Sequence, residues 1–85
     1  MSAPQTILVR VTGRDRPGIT SDLLTLLASL DAELQDMEQV VVRRQLTLGL
    51  AVLVPAGRDL VKEVLLFGWE RGLDIDFEIV DATPT

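Results

Sequence analysis

Strands at both ends of the chain are marked by alternating apolar and polar residues. In residues 7–12, ILVRVT, the side chains of Ile7, Val9 and Val11 share one face, the period-2 pattern of a half-buried strand. Residues 73–80, LDIDFEIV, alternate in the same way and place acidic residues on the other face. We therefore predict a first and a last strand that each have one solvated face.

Two segments have the three- and four-residue apolar spacing of an amphipathic helix. The first helix is predicted to bury Ile19, Leu23, Leu26, Leu27 and Leu30. The second follows the turn sequence PAG at residues 55–57 and is predicted to bury Leu60, Val61, Val64, Leu65 and Phe67. Gly72 suits the left-handed position that ends such a helix.

Two more strands lie between the helices. Residues 32–42 lack a helical period and end in three valines, which predicts a strand whose mixed middle holds a bulge. Residues 46–54, LTLGLAVLV, alternate cleanly. Arg43 and Arg44 form the predicted hairpin connection between them, although they are not the Asn-Gly pair typical of a tight turn.

The element order is therefore βαββαβ, which predicts an α+β fold of the ferredoxin-like kind. In this fold two helices cover one face of a four-stranded antiparallel sheet. The strands at 7–12 and 46–54 suit central positions. The 85 residues form one predicted domain, with an ordered core over residues 6–81 and frayed tails at 1–5 and 81–85. A chain of this length is only just long enough to bury a self-sufficient core. We therefore expect its stability to depend on a partner.

Composition argues against several classes of function. Thirteen acidic and 8 basic residues give a net charge of −5, which disfavours nucleic acid and anionic membranes as partners. The chain has no histidine and no cysteine, so the usual zinc ligands, thiolate nucleophiles and imidazole bases are missing. We expect this chain to be no enzyme and to hold no cofactor. Without a leader or a long apolar run, we expect a cytoplasmic location.

The loop between the first strand and the first helix, TGRDRPGIT, has two interpretations. Asp15 can cap the helix by accepting the N–H of Gly18, while Pro17 has no N–H to leave unpaired, and the loop is then only a turn. Alternatively, the helix N-terminus presents N–H groups and its positive dipole end to a ligand carboxylate or phosphate. Arg14 and Arg16 then either attract that anion or are merely solvated.

This loop, in a chain of this length and element order, resembles the ACT domain, a βαββαβ module that binds amino acids and regulates metabolic enzymes. The continuation LLASLDAELQDMEQVVVRRQLTLGLAVLV is similar to the N-terminal ACT region of actinobacterial phosphoserine phosphatases. The DRPGI core also occurs in formyltetrahydrofolate deformylases and glycine-cleavage regulators, whose ACT domains remain alternatives.

The resemblance implies a small amino-acid ligand, with L-serine favoured, held between this loop and the start of strand two of a neighbouring domain. The implied ligand-binding residues are Gly13, Arg14, Asp15, Arg16, Pro17, Gly18, Ile19 and Glu33. In serine-regulated dehydrogenase relatives, the positions of Asp15 and Glu33 are asparagine and that of Gly13 is histidine. The implied partners are another ACT domain or a second copy, and a catalytic phosphatase domain, absent from this chain, that uses Mg²⁺.

The main competing hypothesis is a dimerisation module without a ligand. The valines at 40–42 are predicted to lie at a sheet edge, where a second chain can pair. Gly49 and Ala51 on the non-helical sheet face permit close packing, and Leu66 and Trp69 on the second helix offer a further contact.

Two further interpretations have less support. An RNA-recognition fold shares the element order but needs aromatic residues on its inner strands, and Phe67, Trp69 and Phe77 all lie elsewhere. Residues 74–78, DIDFE, do not match the phosphatase nucleophile motif DxDxT, because Glu78 stands at the threonine position.

Overall fold

A computed structural model describes residues 4–56 and 59–80 of the chain. Its elements are β1 (Gln5–Arg14), α1 (Ile19–Ser29), β2 (Glu33–Val42), β3 (Gln45–Val54), α2 (Leu60–Arg71) and β4 (Asp74–Val80). The predicted order and the ferredoxin-like class are confirmed. Of the tails predicted to fray, residues 1–3 and 81–85 lie outside the described residues, and Gln5 already belongs to β1.

The sheet has the order β2-β3-β1-β4, and all three strand pairs are antiparallel. The two strands predicted to be central, β1 and β3, pair without interruption from Gln5 opposite Val54 to Arg14 opposite Gln45. Strand β2 lies at one edge, as predicted, and β4 lies at the other. Since β1 and β2 both run antiparallel to β3, they are parallel to each other and end at the same end of the sheet.

The predicted bulge and hairpin in the β2–β3 unit are both confirmed. The register of β2 against β3 shifts between Leu34 and Asp36. At the hairpin, Arg43 and Arg44 have φ values of 50° and 66°, so both central residues are left-handed. This geometry matches the twist of the paired strands and is usually made by Asn-Gly.

The core lies between the helices and one face of the sheet. Strand β3 contributes more buried residues than any other element, and its alternate residues from Leu46 to Val54 are all buried. Helix α1 buries three of the five predicted residues, while Leu26 and Leu30 are partly buried at the edge of the core.

In α2 the predicted apolar face is correct except at one residue. Leu60, Val64 and Phe67 are buried, and Val61 is partly buried. Leu65 is 46% exposed, so its predicted place in the core is wrong. The reason is helical geometry: Leu65 is rotated about 100° from Val64 and about 160° from Phe67, so it lies at the flank of the buried face.

Both ends of α2 are closed by side-chain or backbone hydrogen bonds. Asp59 is the N-cap, and its Oδ1 accepts the Lys62 N–H at 3.2 Å. Gly72 has φ 67°, which confirms the predicted left-handed cap. The next strand, β4, has the predicted solvated acidic face, but Ile79 on its other face is 61% exposed because this edge strand is only partly covered.

Candidate functional site

The predicted role of Asp15 as the helix cap is wrong. The N-cap of α1 is Gly18, whose φ is 89°, and no side chain among the described residues caps this helix. A residue with this left-handed φ cannot belong to a right-handed helix, so α1 begins only after Gly18. Asp15 therefore lies three residues too early, and its N–H donates to the carbonyl oxygen of Arg44 at 2.7 Å.

The first turn of α1 consequently begins with N–H groups that have no partner within the helix. The first helical hydrogen bond runs from the Asp22 N–H to the Gly18 carbonyl at 2.8 Å, so the N–H groups of residues 19–21 precede the helical ladder. The Ile19 N–H lies 3.5 Å from the Arg16 carbonyl oxygen, at the limit of a hydrogen bond. Together with the positive end of the helix dipole, these donors form a candidate anion-binding position.

Gly18 leaves the space beside these donors open. A Cβ built on Gly18 would have one neighbour within 4 Å among the described residues, Asp22 Oδ2 at 3.8 Å. The glycine is therefore required by its backbone angle and not by crowding. Among the described side chains near this Cβ position, a ligand carboxylate would meet Asp22, whose own carboxylate lies 3.7 Å from Arg71 Nη2 and is partly neutralised by it.

Gly13, the first residue of the predicted loop, has a different role. A Cβ at this position would lie 2.7 Å from Leu73 Cδ2 and 3.5 Å from Leu73 Cα. Gly13 thus allows the end of β1 to pack closely against the connection between α2 and β4. This close packing explains the glycine without a ligand.

Charge is concentrated at this end of the sheet. Arg14, Asp15 and Arg16 are exposed, and the adjacent β2–β3 turn adds the exposed Arg43 and Arg44. The two turn arginines are not among the site residues predicted from the sequence. Their position follows from topology, since β1 and β2 are parallel and their following loops meet at one end. Arginines here favour an anionic ligand.

The other loop residues contribute mainly through their backbone. Pro17 and Gly18 are exposed, whereas the Ile19 side chain is only 4% exposed and belongs to the core. Ile19 can therefore offer a ligand its N–H but not its side chain.

Glu33 is the one predicted site residue that the structure places far from the loop. It begins β2 opposite Leu53 of β3, whereas Gly13 lies opposite Leu46. Seven residues of β3 separate these levels, about 24 Å at ~3.4 Å per residue. A single chain therefore cannot bring Glu33 to the loop, and a site containing both requires Glu33 from a second domain.

The sheet face opposite the helices is strongly acidic. Strand register places Arg10 at its centre, opposite Gly49 on one side and Asp76 on the other. The carboxylates on this face come from both edge strands: Glu33, Asp36, Glu38, Asp74, Asp76 and Glu78. Such a face repels a phosphate backbone, in contrast to the basic surface that RNA binding requires.

Among residues 4–56 and 59–80, no group of three or more His, Cys, Asp or Glu side chains is placed to hold a metal ion. Neither helix in this part of the chain is long and apolar enough to cross a membrane.

The fold is that of an α+β domain of the ferredoxin-like class, and the start of α1 after the end of β1 is its candidate site. The family model for the ACT domain matches residues 5–78, and the chain belongs to this family. An ACT domain protein from Streptococcus pneumoniae has the same fold, with a TM-score of 0.77 and 22% identity over 92% of this chain and 91% of that one.

Two phosphoserine phosphatases are similar to this chain along nearly its whole length. Phosphoserine phosphatase SerB2 of Mycobacterium tuberculosis is 41% identical over 99% of the chain, and phosphoserine phosphatase of Streptomyces coelicolor is 36% identical over 96%. The chain spans 22% of the length of each of these relatives. It is thus a regulatory ACT domain with homologues within phosphoserine phosphatases.

Proposed function

We propose that this domain binds a small amino acid, with L-serine favoured, at an interface between two ACT domains. The observation that carries the proposal is the N-terminus of α1, which begins at Gly18 with open space and no side-chain cap among the described residues. An amino-acid carboxylate there would accept hydrogen bonds from the first-turn N–H groups and interact favourably with the helix dipole.

The ammonium group of the ligand needs acceptors, which Asp15 and Glu33 can supply. Asp15 lies in the loop before the candidate anion-binding position at the start of α1, and Glu33 of a second copy completes the site. Each charge-assisted hydrogen bond of this kind contributes about 1.5–3 kcal/mol. Two carboxylates around one ammonium leave an excess of negative charge. The arginines at the same end of the sheet, Arg14, Arg16 and the two turn arginines, offset this excess.

Strand β2 provides the means to bring the two halves together. All ten of its residues are exposed, and its outer edge is unpaired within the described residues. Two copies that pair their β2 edges antiparallel, with the two-fold axis between Met37 and Glu38 at the middle of the strand, would place Glu33 of one copy near Val42 of the other. Val42 precedes the turn that is hydrogen-bonded to the loop, so the partner's β2 start meets the candidate site.

Regulation follows if the ligand binds the paired state more tightly than the separate domains. A ligand at 100 times its Kd would stabilise the binding state by about 2.7 kcal/mol. The paired geometry would then bias an attached domain through its linker.

We further propose that the domain acts within a phosphoserine phosphatase in the cytoplasm. The support is the identity with two such enzymes, of which this chain corresponds to 22% of the length. The Mg²⁺ that the resemblance implies for that reaction would belong to the catalytic domain of such an enzyme.

Calorimetric titration with L-serine and a panel of other amino acids tests the proposal, with sedimentation on the same samples. We expect saturable binding of a small amino acid and a ligand-dependent increase in dimer. Failure of every amino acid to bind a folded, dimeric sample would contradict it and favour the ligand-free assembly module, which the exposed β2 edge also supports.

A further inference from the structure

Helix α2 is apolar on its outer side as well as on its buried side. Leu65, Leu66 and Trp69 are 46%, 49% and 81% exposed; Trp69 lies opposite the face that packs on the sheet, and Leu65 and Leu66 lie on either side of Trp69. We define the outer α2 surface as Lys62, Leu65, Leu66, Trp69 and Glu70. A helix on the surface of a monomer normally has polar residues there, so three large apolar side chains on one outer face indicate a partner.

The charges at the two ends of this surface are opposite. Lys62 lies at its N-terminal end and Glu70 at its C-terminal end, eight residues or about 12 Å apart along the helix. Glu70 Oε1 is 3.9 Å from Arg71 Nη1, a long contact, and its side chain is 58% exposed. Glu70 can therefore accept a second cation.

We propose that the outer α2 surface binds the same surface of a second copy, with the two α2 helices antiparallel about a two-fold axis. The leucines at 65 and 66 lie at the centre of this contact. Lys62 of each copy then approaches Trp69 and Glu70 of the other, which allows an ion pair and a cation–π contact twice. In the antiparallel arrangement, the positive end of each helix dipole also lies beside the negative end of the other, which is favourable.

A self-complementary surface favours a second copy over an unrelated partner. Both the apolar centre and the opposite charges at the ends match themselves after a two-fold rotation, which is the property of an isologous interface. A parallel arrangement would instead place Lys62 against Lys62 and Glu70 against Glu70.

This contact is distinct from the pairing of β2 edges. Helix α2 packs beside β4, whereas β2 forms the opposite edge of the sheet. Both surfaces can be occupied at once, which predicts assemblies larger than a dimer. Trp69 alone would bury up to about 200 Å² per copy, and a stable interface buries about 1,200 Å² in total, so the α2 contact should be concentration-dependent.

Trp69 supplies a direct probe because it is the chain's one tryptophan. We expect its emission to shift to shorter wavelength, and its quenching by acrylamide to fall, as the protein concentration increases. Sedimentation equilibrium over the same range should show the mass increasing together with this shift.

Variants on the outer α2 surface separate association from folding, because every substituted residue is exposed. Leu66→Glu should remove the shift in Trp69 emission, whereas Ala28→Glu on the exposed side of α1 is the matched control and should retain it. Lys62→Glu or Glu70→Lys alone should weaken the association by about tenfold, and the double variant should restore it.

An emission spectrum of Trp69 that stays at the wavelength of exposed tryptophan at every concentration would overturn the proposal. So would a mass for Leu66→Glu equal to that of the unsubstituted chain. Loss of β2 pairing gives a different result: the α2 dimer and the shift of Trp69 would persist, while masses above the dimer would disappear.

Discussion

Gly18 shows how a single residue decides where a helix begins and what its first turn can bind. Its φ of 89° excludes it from α1 and leaves the next N–H groups without helical partners. The DRPGI segment predicts a helix start, with Asp15 as its candidate N-cap. Asp is a common N-cap, and only the backbone angle of Gly18 shows that the helix starts later.

Gly18→Ala should weaken amino-acid binding more than it weakens folding. The added Cβ has room, since its one described neighbour would be 3.8 Å away, so the stability cost is the left-handed strain of about 1–2 kcal/mol. Urea unfolding and calorimetric titration of the same samples measure the two effects. Equal losses of binding and stability would show that the loop is only a turn.

Gly49→Ala is the matched control for this substitution. Gly49 lies within β3, has no neighbour within 4 Å of a built Cβ among the described residues, and does not have a left-handed φ. Alanine should therefore raise the free energy of unfolding by about 0.5–1 kcal/mol, because glycine loses more conformational freedom on folding. A lower free energy of unfolding in urea would contradict an unstrained strand geometry with open space at this position.

At the scale of the element, the two helices differ in how their N-termini are closed. Helix α2 has Asp59 as its cap, and α1 has a glycine. The spacing of the apolar residues predicted both helices, because a helix that buries one face has apolar residues three and four positions apart. Leu65 was misplaced because an apolar residue beside the buried face is indistinguishable in sequence from a member of that face.

Asp59→Ala should lower the free energy of unfolding by about 1 kcal/mol, because it leaves the Lys62 N–H without its acceptor. Asp15→Ala should change it little, because Asp15 does not cap α1. Thermal or urea unfolding of the two variants measures the difference. An equal loss for both would restore Asp15 to the role predicted from the sequence.

The β2–β3 turn offers a second test at this scale. Arg43 and Arg44 both adopt left-handed angles, which cost about 1–2 kcal/mol for a residue with a Cβ. The pair Arg43→Asn and Arg44→Gly supplies the residues that this turn favours and should raise the free energy of unfolding by about 1 kcal/mol. A less stable variant would mean that the arginines make favourable contacts at this end of the sheet.

At the scale of the whole molecule, the site that we propose is divided between two copies. The order of elements and the central strands could be predicted from the sequence, because periodicity and topology rules suffice for them. The separation of Glu33 from the loop could not be derived from periodicity, since it depends on register across β3. The arginines of the turn were missed for the same reason, as they approach the loop only through the parallel alignment of β1 and β2.

In the site that we propose, one copy supplies the loop and the other supplies Glu33. Asp15→Ala and Glu33→Ala should each weaken binding of L-serine, or of whichever amino acid binds the unsubstituted chain, by about 10-fold or more, through loss of a charge-assisted hydrogen bond. Glu38→Ala, on the same strand and also exposed, should leave the affinity unchanged.

The most direct measurement is a calorimetric titration of the two weak variants, each alone and then mixed in equal amounts. A site shared between copies predicts that mixing restores tight binding at about one quarter of the sites, because half of the dimers are mixed and each contains one intact site. Unrestored binding in the mixture, with both variants folded and dimeric, would contradict a site shared between two copies.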